Sequence, residues 1–419
     1  MDKLLITGGK KLQGTVRASG SKNAALPILF SSILTKEKIS YSRVPRLKDI
    51  ETTLSLLQGL GAQTTQVDNR VTIAIPALSS AEAPYDLVRT MRASILVLGP
   101  LLAREKKAKV SLPGGCAIGA RPVDIHLEGL RLMGANFKLE QGYVIGECGA
   151  GLVGAEIPFR FPSVGATENV MMAATLAKGR TVIRNAAREP EIVNLAEALR
   201  AMGAKISGEG SDTIIVDGVT ELHGADVSIM FDRIEAGTLL LAGPITGGST
   251  RVEDVDSKCL ESFLEKLREA GLLVKSGATW MEASFTGSER PIKIQTEPYP
   301  GYPTDLQAQL MAFLAQVPGV SEVQETIFEN RYMHVPELNR MGADICIEGA
   351  RAEVHGSKGI YSGAIVMATD LRASASLVLA ALAAKGESHV RRIYHLDRGY
   401  EGIEKKLQSL GATVSREKE

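Results

Sequence analysis

The phrase "LQGLGA" at Leu57 returns five times, as "LRLMGA" at Leu130, "LRAMGA" at Leu199, "LREAGL" at Leu267, "LNRMGA" at Leu338 and "LQSLGA" at Leu407. Its glycines, Gly61, Gly134, Gly203, Gly271, Gly342 and Gly411, are spaced by 73, 69, 68, 71 and 69 residues. A period this regular means one supersecondary unit copied six times, and every admissible fold must respect it. An apolar residue four positions before each glycine marks the last turn of a helix, and the glycine suits a left-handed C-cap. Strand-like runs follow, such as "QTTQVDNRVTIAI" and "AKISGEGSDTIIVDG".

The other half of each unit repeats as well. "SKNAALPILFSSIL", "RTMRASILVLGPLLA", "GATENVMMAATLA", "RIEAGTLLLAGPIT", "PTDLQAQLMAFLA" and "TDLRASASLVLAALA" each run from a polar opening into an Ala/Leu-rich helix. These helices are apolar almost all round, as buried helices are. The strands between them must then form sheets wrapped around them, which makes the chain α/β. A unit of about 70 residues is well above solenoid periods, so six copies are expected as two groups of three. The division is expected near residues 227–233, giving one domain of residues 22–229 and a second of residues 1–21 plus 230–419. An N-terminal strand, about residues 3–17, is expected to complete the second domain, so that the chain crosses between domains twice.

Composition narrows the partners. Lysine plus arginine and aspartate plus glutamate both number 48, so no global charge points to nucleic acid or an anionic membrane. Any anion site must be local. Cys116, Cys148, Cys259 and Cys346 lie far apart, without a CxxC pair or a Cys/His cluster of metal-ligand spacing. A zinc site and a disulfide scaffold are both disfavoured, and a reducing cytosol suits the chain. "MDKLLITGGKKLQG" lacks the apolar core of a signal peptide, and no apolar run reaches membrane-spanning length. A cytoplasmic protein with no metal and no cofactor is expected.

Chemistry is expected at the helix openings, where unpaired N–H groups and the positive end of the macrodipole attract anions. Lys22, Arg92, Arg121, Arg188, Asp305, Arg331, Asp370, Arg372 and Arg398 stand at or near these openings or in the loops before the second helices. Any one of these arginines alone reads as a solvated loop residue. Their recurrence at matching points argues instead for a highly anionic ligand. Cys116 is also out of place, since it lies in "LPGGCAIGARPVDIH", a glycine-rich loop, whereas packed cysteines sit in apolar segments.

With "SGSKNAALP", "VRTMRAS", "LPGGCAIGARPVDIH", "AAREPEI", "YPTDLQAQ", "ETIFENRYMHVPEL", "ATDLRASASLVLA" and "YHLDRGYE" in this order, the chain resembles the UDP-N-acetylglucosamine enolpyruvyl transferases. These 1-carboxyvinyltransferases of bacterial cell-wall synthesis belong to the EPSP synthase superfamily. The resemblance covers essentially the whole chain. It implies two inverse α/β barrel domains with helices inside, each of three βαβαββ-type units in pseudo-threefold symmetry. The implied reaction moves the enolpyruvyl group of phosphoenolpyruvate to the 3-hydroxyl of UDP-N-acetylglucosamine by addition and elimination, releasing phosphate. It is the first committed step of peptidoglycan precursor synthesis.

Site roles follow from the same resemblance. Cys116 matches the family's loop cysteine, a general acid that can also form an adduct at C2 of phosphoenolpyruvate. Lys22 and Arg121, with Arg398 alongside, match cations that hold its phosphate. Asn23 and Arg92 match substrate contacts. Asp305 matches the residue hydrogen-bonded to the sugar 3-hydroxyl and is the candidate base; its alternative is a helix N-cap, since "PTDLQAQ" looks like a helix start. Arg121, Pro122, Val123, Asp124 and Ile125 match the uridine segment, and Ser163, Val164 and Gly165 a diphosphate contact through backbone amides. Ile327 matches a residue touching the N-acetylglucosamine. Arg331, Asp370 and Arg372 match a closure or phosphate network.

Two departures stand out, Leu96 where many relatives carry tryptophan, and "RFP" at residues 160–162 where they carry lysine. His126 is assigned no chemistry. Two rival functions remain open, the sister transferase acting on shikimate 3-phosphate and a non-catalytic UDP-sugar-binding paralogue. Small-molecule substrates are the expected partners, with no nucleic acid and no membrane insertion, and the oligomeric state is left open.

Overall fold

A computed structural model of the protein describes residues 2–88, 91–112 and 123–419. The repeat appears as alternating helices, α1 (Lys22–Phe30), α2 (Lys48–Gly59), α3 (Leu98–Glu105), α4 (Asp124–Leu132), α5 (Val164–Ala174), α6 (Pro190–Ala201), α7 (Arg233–Ala242), α8 (Glu261–Glu269), α9 (Gln307–Leu314), α10 (Val335–Arg340), α11 (Leu371–Ala383) and α12 (Ile403–Ser409). The odd-numbered helices are the Ala/Leu-rich ones. Every residue of α7 and α9 is buried, whereas α8 buries Phe263, Leu264 and Leu267 along one face. That contrast follows from composition, because a helix without a polar face has no side it can turn to water.

Even-numbered helices end on the repeated glycines, and all six glycines have positive φ, from +93° to +106°. The amide of the following residue, Ala62, Ala135, Ala204, Leu272, Ala343 or Ala412, donates to the carbonyl of Leu57, Leu130, Leu199, Leu267, Leu338 or Leu407 at 2.9–3.1 Å. Each glycine amide donates to the carbonyl three residues back at 2.9–3.0 Å. The two bonds together form a Schellman cap, which satisfies carbonyls the helix leaves open and turns the chain into the next strand.

Six four-stranded sheets accompany the six helix pairs, each with one parallel pair and two antiparallel ones. Strands such as Thr213–Asp217 alternate buried and half-buried residues, so one face of each sheet packs on the helices. The result is helices inside and sheets outside, as expected for the α/β class.

The chain divides into two units, residues 2–19 with 231–419, and residues 20–112 with 123–230. The single N-terminal strand expected at 3–17 is in fact two strands in different sheets. β1 (Asp2–Thr7) lies between Glu387–Arg391 and Thr413–Lys418, antiparallel to both. β2 (Gln13–Arg17) runs parallel to Ser249–Glu253. In four sheets the parallel partners flank one odd-numbered helix, as Glu156–Pro158 and Arg180–Arg184 flank α5. At the two crossings the partners are exchanged. β2 precedes α1 but pairs with the strand after α7, and Asp226–Ser228 precedes α7 but pairs with Ile39–Ser42, after α1. The crossing segments bond to each other, Ser21 N to Met230 O at 2.7 Å and Asp232 N to Ser19 O at 2.8 Å. Among the described residues no helix is long and apolar enough to cross a membrane.

Candidate active site

In the unit of residues 20–230, the expected residues stand at helix openings. Ser21 caps α1, its Oγ accepting from Ala24 N at 3.3 Å. Lys22, the first residue of α1, places Nζ 3.4 Å from Oδ2 of Asp49, a 3% exposed residue in the first turn of α2. Asn23 follows, half-buried, and Arg92 opens the 3-10 turn Arg92–Val97 that leads into α3. Val123 and Asp124 open α4. One oxygen of Asp124 accepts from Ile125 N at 2.9 Å; the other bonds Arg160. The position where this chain departs from its relatives is thus tied to the expected uridine segment. Cys116, Arg121 and Pro122 lie outside the described residues.

Ser163 caps α5, its Oγ accepting from Ala166 N at 3.4 Å. The amides of Val164 and Gly165 have no intrahelical acceptor, because the first turn of a helix offers none. His126 lies beside this turn, and a Cβ at Gly165 would stand 3.1 Å from its Cε1. Asn169 fixes its tautomer. The Asn169 Oδ1 accepts from Gly99 N at 2.7 Å, so Nδ2 is the group facing both Ile95 O and His126 Nδ1, each at 3.1 Å. His126 Nδ1 therefore accepts and the proton sits on Nε2. Burial pulls its pKa down to about 4, against the pull of Asp124 and with that of Arg92.

The other unit gathers charge around Asp305. This residue lies in the 3-10 turn Thr304–Leu306 ahead of α9, and its carboxylate does not cap the helix. It is turned onto two guanidinium groups instead, Oδ1 2.5 Å from Nη2 of Arg331 and Oδ2 2.6 Å from Nη2 of Arg372. Arg331 is 4% exposed and Asp305 26%. Burial opposes the charge on Arg372, but Asp305 and weaker contributions from Tyr400 and Asp232 hold its pKa above the ordinary value. Asp370 caps α11, its Oδ1 accepting from Arg372 N at 2.8 Å and Ala373 N at 3.0 Å. Arg398 ends the turn Leu396–Arg398, where burial first and then its charge lower the pKa of His395, against Asp370.

A hydroxyl that the sequence did not flag ties this cluster together. Thr238 donates to Ile234 O at 2.8 Å, so Tyr400 OH donates to Thr238 Oγ1 at 3.0 Å. The same phenol accepts from Gln309 Nε2 at 3.2 Å and Arg372 Nη1 at 3.5 Å. Tyr400 thus meets one side chain from each of α7, α9 and α11. Gln309 also donates to Asp305 O at 3.0 Å. The signal available beforehand was the "GYE" after Arg398, which alone does not say where the ring points.

A model of the family described as EPSP synthase (3-phosphoshikimate 1-carboxyvinyltransferase) matches residues 6–407. The chain belongs to the EPSP synthase family. Among curated EPSP-synthase-family relatives, the UDP-N-acetylglucosamine 1-carboxyvinyltransferase of Idiomarina loihiensis is 55% identical over 417 residues, 99% of both chains. The protein of the same name from Nitratidesulfovibrio vulgaris is 56% identical over 417 residues, again 99% of both. Of solved family structures, the enolpyruvyl transferase NikO from Streptomyces tendae superposes with a TM-score of 0.89 at 25% identity, over 99% of this chain and 98% of that one. EPSP synthase from Acinetobacter baumannii shares the fold, with a TM-score of 0.76 at 19% identity and full coverage of both chains.

Two loop phrases supply partners to the expected site residues. "RLKD" supplies Asp49 to Lys22, and "ENR" supplies Arg331 to Asp305. Both carboxylate–cation pairs join residues far apart in the chain, which no local pattern announces.

Proposed function

We propose that the protein transfers the enolpyruvyl group of phosphoenolpyruvate to the 3-hydroxyl of UDP-N-acetylglucosamine, releasing phosphate. The observation that carries this reading is the full-length identity of 55–56% to relatives of that name. In this reading Lys22, Asn23, Arg121 and Arg398 hold phosphoenolpyruvate. Its phosphate and carboxylate need cations that are in place before charge moves. Arg92, the segments 121–125 and 163–165, Asp305 and Ile327 hold the UDP-sugar. The open amides of Val164 and Gly165 suit a diphosphate oxygen.

Asp305 accepts a hydrogen bond from the sugar hydroxyl beside the two guanidinium groups, since a carboxylate offers four lone-pair sites. Taking the proton outright weakens two ion pairs, so the proton moves late, as the sugar oxygen bonds to C2. The electron pair of the C2–C3 double bond meanwhile takes a proton at C3 from Cys116. In elimination C3 returns a proton to the Cys116 thiolate, the double bond re-forms, the C2–O bond to phosphate breaks and the leaving phosphate takes up the proton held by Asp305. Arg331, Asp370 and Arg372 keep Asp305 and the first turn of α11 in place. A cytoplasmic setting fits the three described cysteines, none of which is in a disulfide.

Phosphate release measured with both substrates tests the reaction. Release with shikimate 3-phosphate in place of the UDP-sugar would overturn it and favour the second reading, which the family description motivates. Binding of the UDP-sugar without turnover would favour a non-catalytic protein. Cys116 has its own test. An epoxide phosphonate is expected to label it, and a label found by mass spectrometry on Cys148, Cys259 or Cys346 would refute its role.

A further inference from the structure

We propose that Glu325 is a positioning residue for the acceptor-sugar half of the site, holding the segment that carries Asp305 against the segment that carries Ile327. The proposal rests on the reading above only in assigning those two residues to the sugar.

Glu325 follows the strand Gly319–Gln324 and is 3% exposed. Its Oε1 accepts from Thr296 Oγ1 at 2.9 Å, Ile327 N at 2.9 Å and Phe328 N at 3.2 Å. Its Oε2 accepts from Thr304 Oγ1 at 2.9 Å. Its own amide donates to Ala350 O at 2.8 Å, which seats the residue on the neighbouring hairpin. Thr296 also accepts from Thr326 N at 2.9 Å. One carboxylate therefore joins three stretches of chain, at residue 296, residue 304 and residues 326–328.

Residue type matters here. A carboxylate offers four lone-pair sites and no donor, so it accepts all four bonds at once, whereas an amide of the same length turns an NH2 toward one of the donors. Among the described residues no ion pair involves Glu325, and four hydrogen bonds take the place of its water. Such a group is costly to bury if its only task is to fill space.

What it holds is the sugar side. Thr304 immediately precedes Asp305, and the loop that Glu325 closes carries Ile327 and, four residues further, Arg331. Asp305 is thus referenced to that loop twice, through the Thr304–Glu325 bond on its backbone side and the Arg331 pair on its carboxylate. Losing the first link lets the carboxylate swing about the second.

The test compares Thr304→Val, Glu325→Gln and Glu325→Ala in the full-length protein. Thr304→Val keeps the volume and deletes one bond; the KM for UDP-N-acetylglucosamine is expected to rise roughly 3- to 10-fold with the KM for phosphoenolpyruvate unchanged. Glu325→Ala is expected to raise the same constant on the order of 10- to 100-fold and to lower kcat. Glu325→Gln is expected to fall between Thr304→Val and Glu325→Ala, because its NH2 turns toward Thr304, whose hydroxyl must rotate to accept. Equal rises in both Michaelis constants, or none in Thr304→Val, would overturn the proposal. Hydrogen exchange of residues 304–309 and 325–329 without substrate separates this from a wrong function. Thr304→Val should speed exchange in both segments whatever the acceptor is, and unchanged exchange would overturn the link itself.

Discussion

Oδ2 of Asp305 lies 2.6 Å from Nη2 of Arg372, a guanidinium buried at the start of α11 and 67 residues away in sequence. With Arg331 on the other oxygen, a single carboxylate balances two buried cations. Electrostatics makes the three residues one unit, because removing the anion takes the nearest counter-charge from both cations.

Asp305→Asn is therefore expected to lower stability as well as turnover. Breaking a buried pair typically costs about 3–5 kcal/mol, and the partial exposure of Asp305 brings the expectation to roughly 2–3 kcal/mol. Adding Arg372→Met should recover part of the stability and none of the activity. Urea unfolding of the two single variants and the double variant measures the coupling, and strict additivity would show the pair to be independent.

Tyr400→Phe removes only the hydroxyl shared by Thr238, Gln309 and Arg372. Two donors then lose an acceptor in a buried setting, which costs about 1–2 kcal/mol. The melting temperature should fall and turnover should drop, since Arg372 and Gln309 both hold Asp305. A variant with wild-type kcat would show that the phenol supports the helices and not the site.

Acid should destabilise both units. His126 in one and His334 in the other are pulled to about 4, in each case mainly by burial. For a histidine with a depressed native pKa the unfolded chain binds more protons, so its contribution is complete above about 6.5 and is lost as pH falls toward 4. Each histidine then contributes on the order of 3 kcal/mol to the loss. Melting temperatures from pH 7 to pH 4 measure it. NMR should find both imidazoles neutral from pH 8 to pH 5.5, and a titration near 6.5 would contradict the burial argument.

Two of the repeated glycines should respond differently to alanine. A Cβ at Gly134 meets nothing within 4 Å, so Gly134→Ala should cost only the left-handed backbone, about 1–2 kcal/mol. At Gly342 the same atom would lie 2.5 Å from Ile360 O, so Gly342→Ala should cost clearly more. Chemical denaturation of both variants gives the comparison; equal losses would mean that the backbone carries the whole effect.

Much of the architecture was legible because its causes are local. The six caps depend on a glycine and the turn before it, and the identity of the buried helices on the absence of a polar face. Ser21, Ser163 and Asp370 cap their helices through bonds spanning two or three residues. The N-terminal stretch departs from expectation for a related reason. β1 and β2 read as one extended run, and only their pairing with strands more than 230 residues away separates them into different sheets.

The sixfold unit, its helix ends and the burial of its odd-numbered helices are local properties, since each follows from side chains within one or two turns of one another. Tertiary structure alone decided that Asp49 faces Lys22, that Asp305 lies between Arg331 and Arg372, and that Glu325 binds three separate stretches of chain. The physical reason is that the fate of a charge depends on what replaces its water. For these residues the replacements come from distant segments, which become neighbours only when the sheets close around the helices.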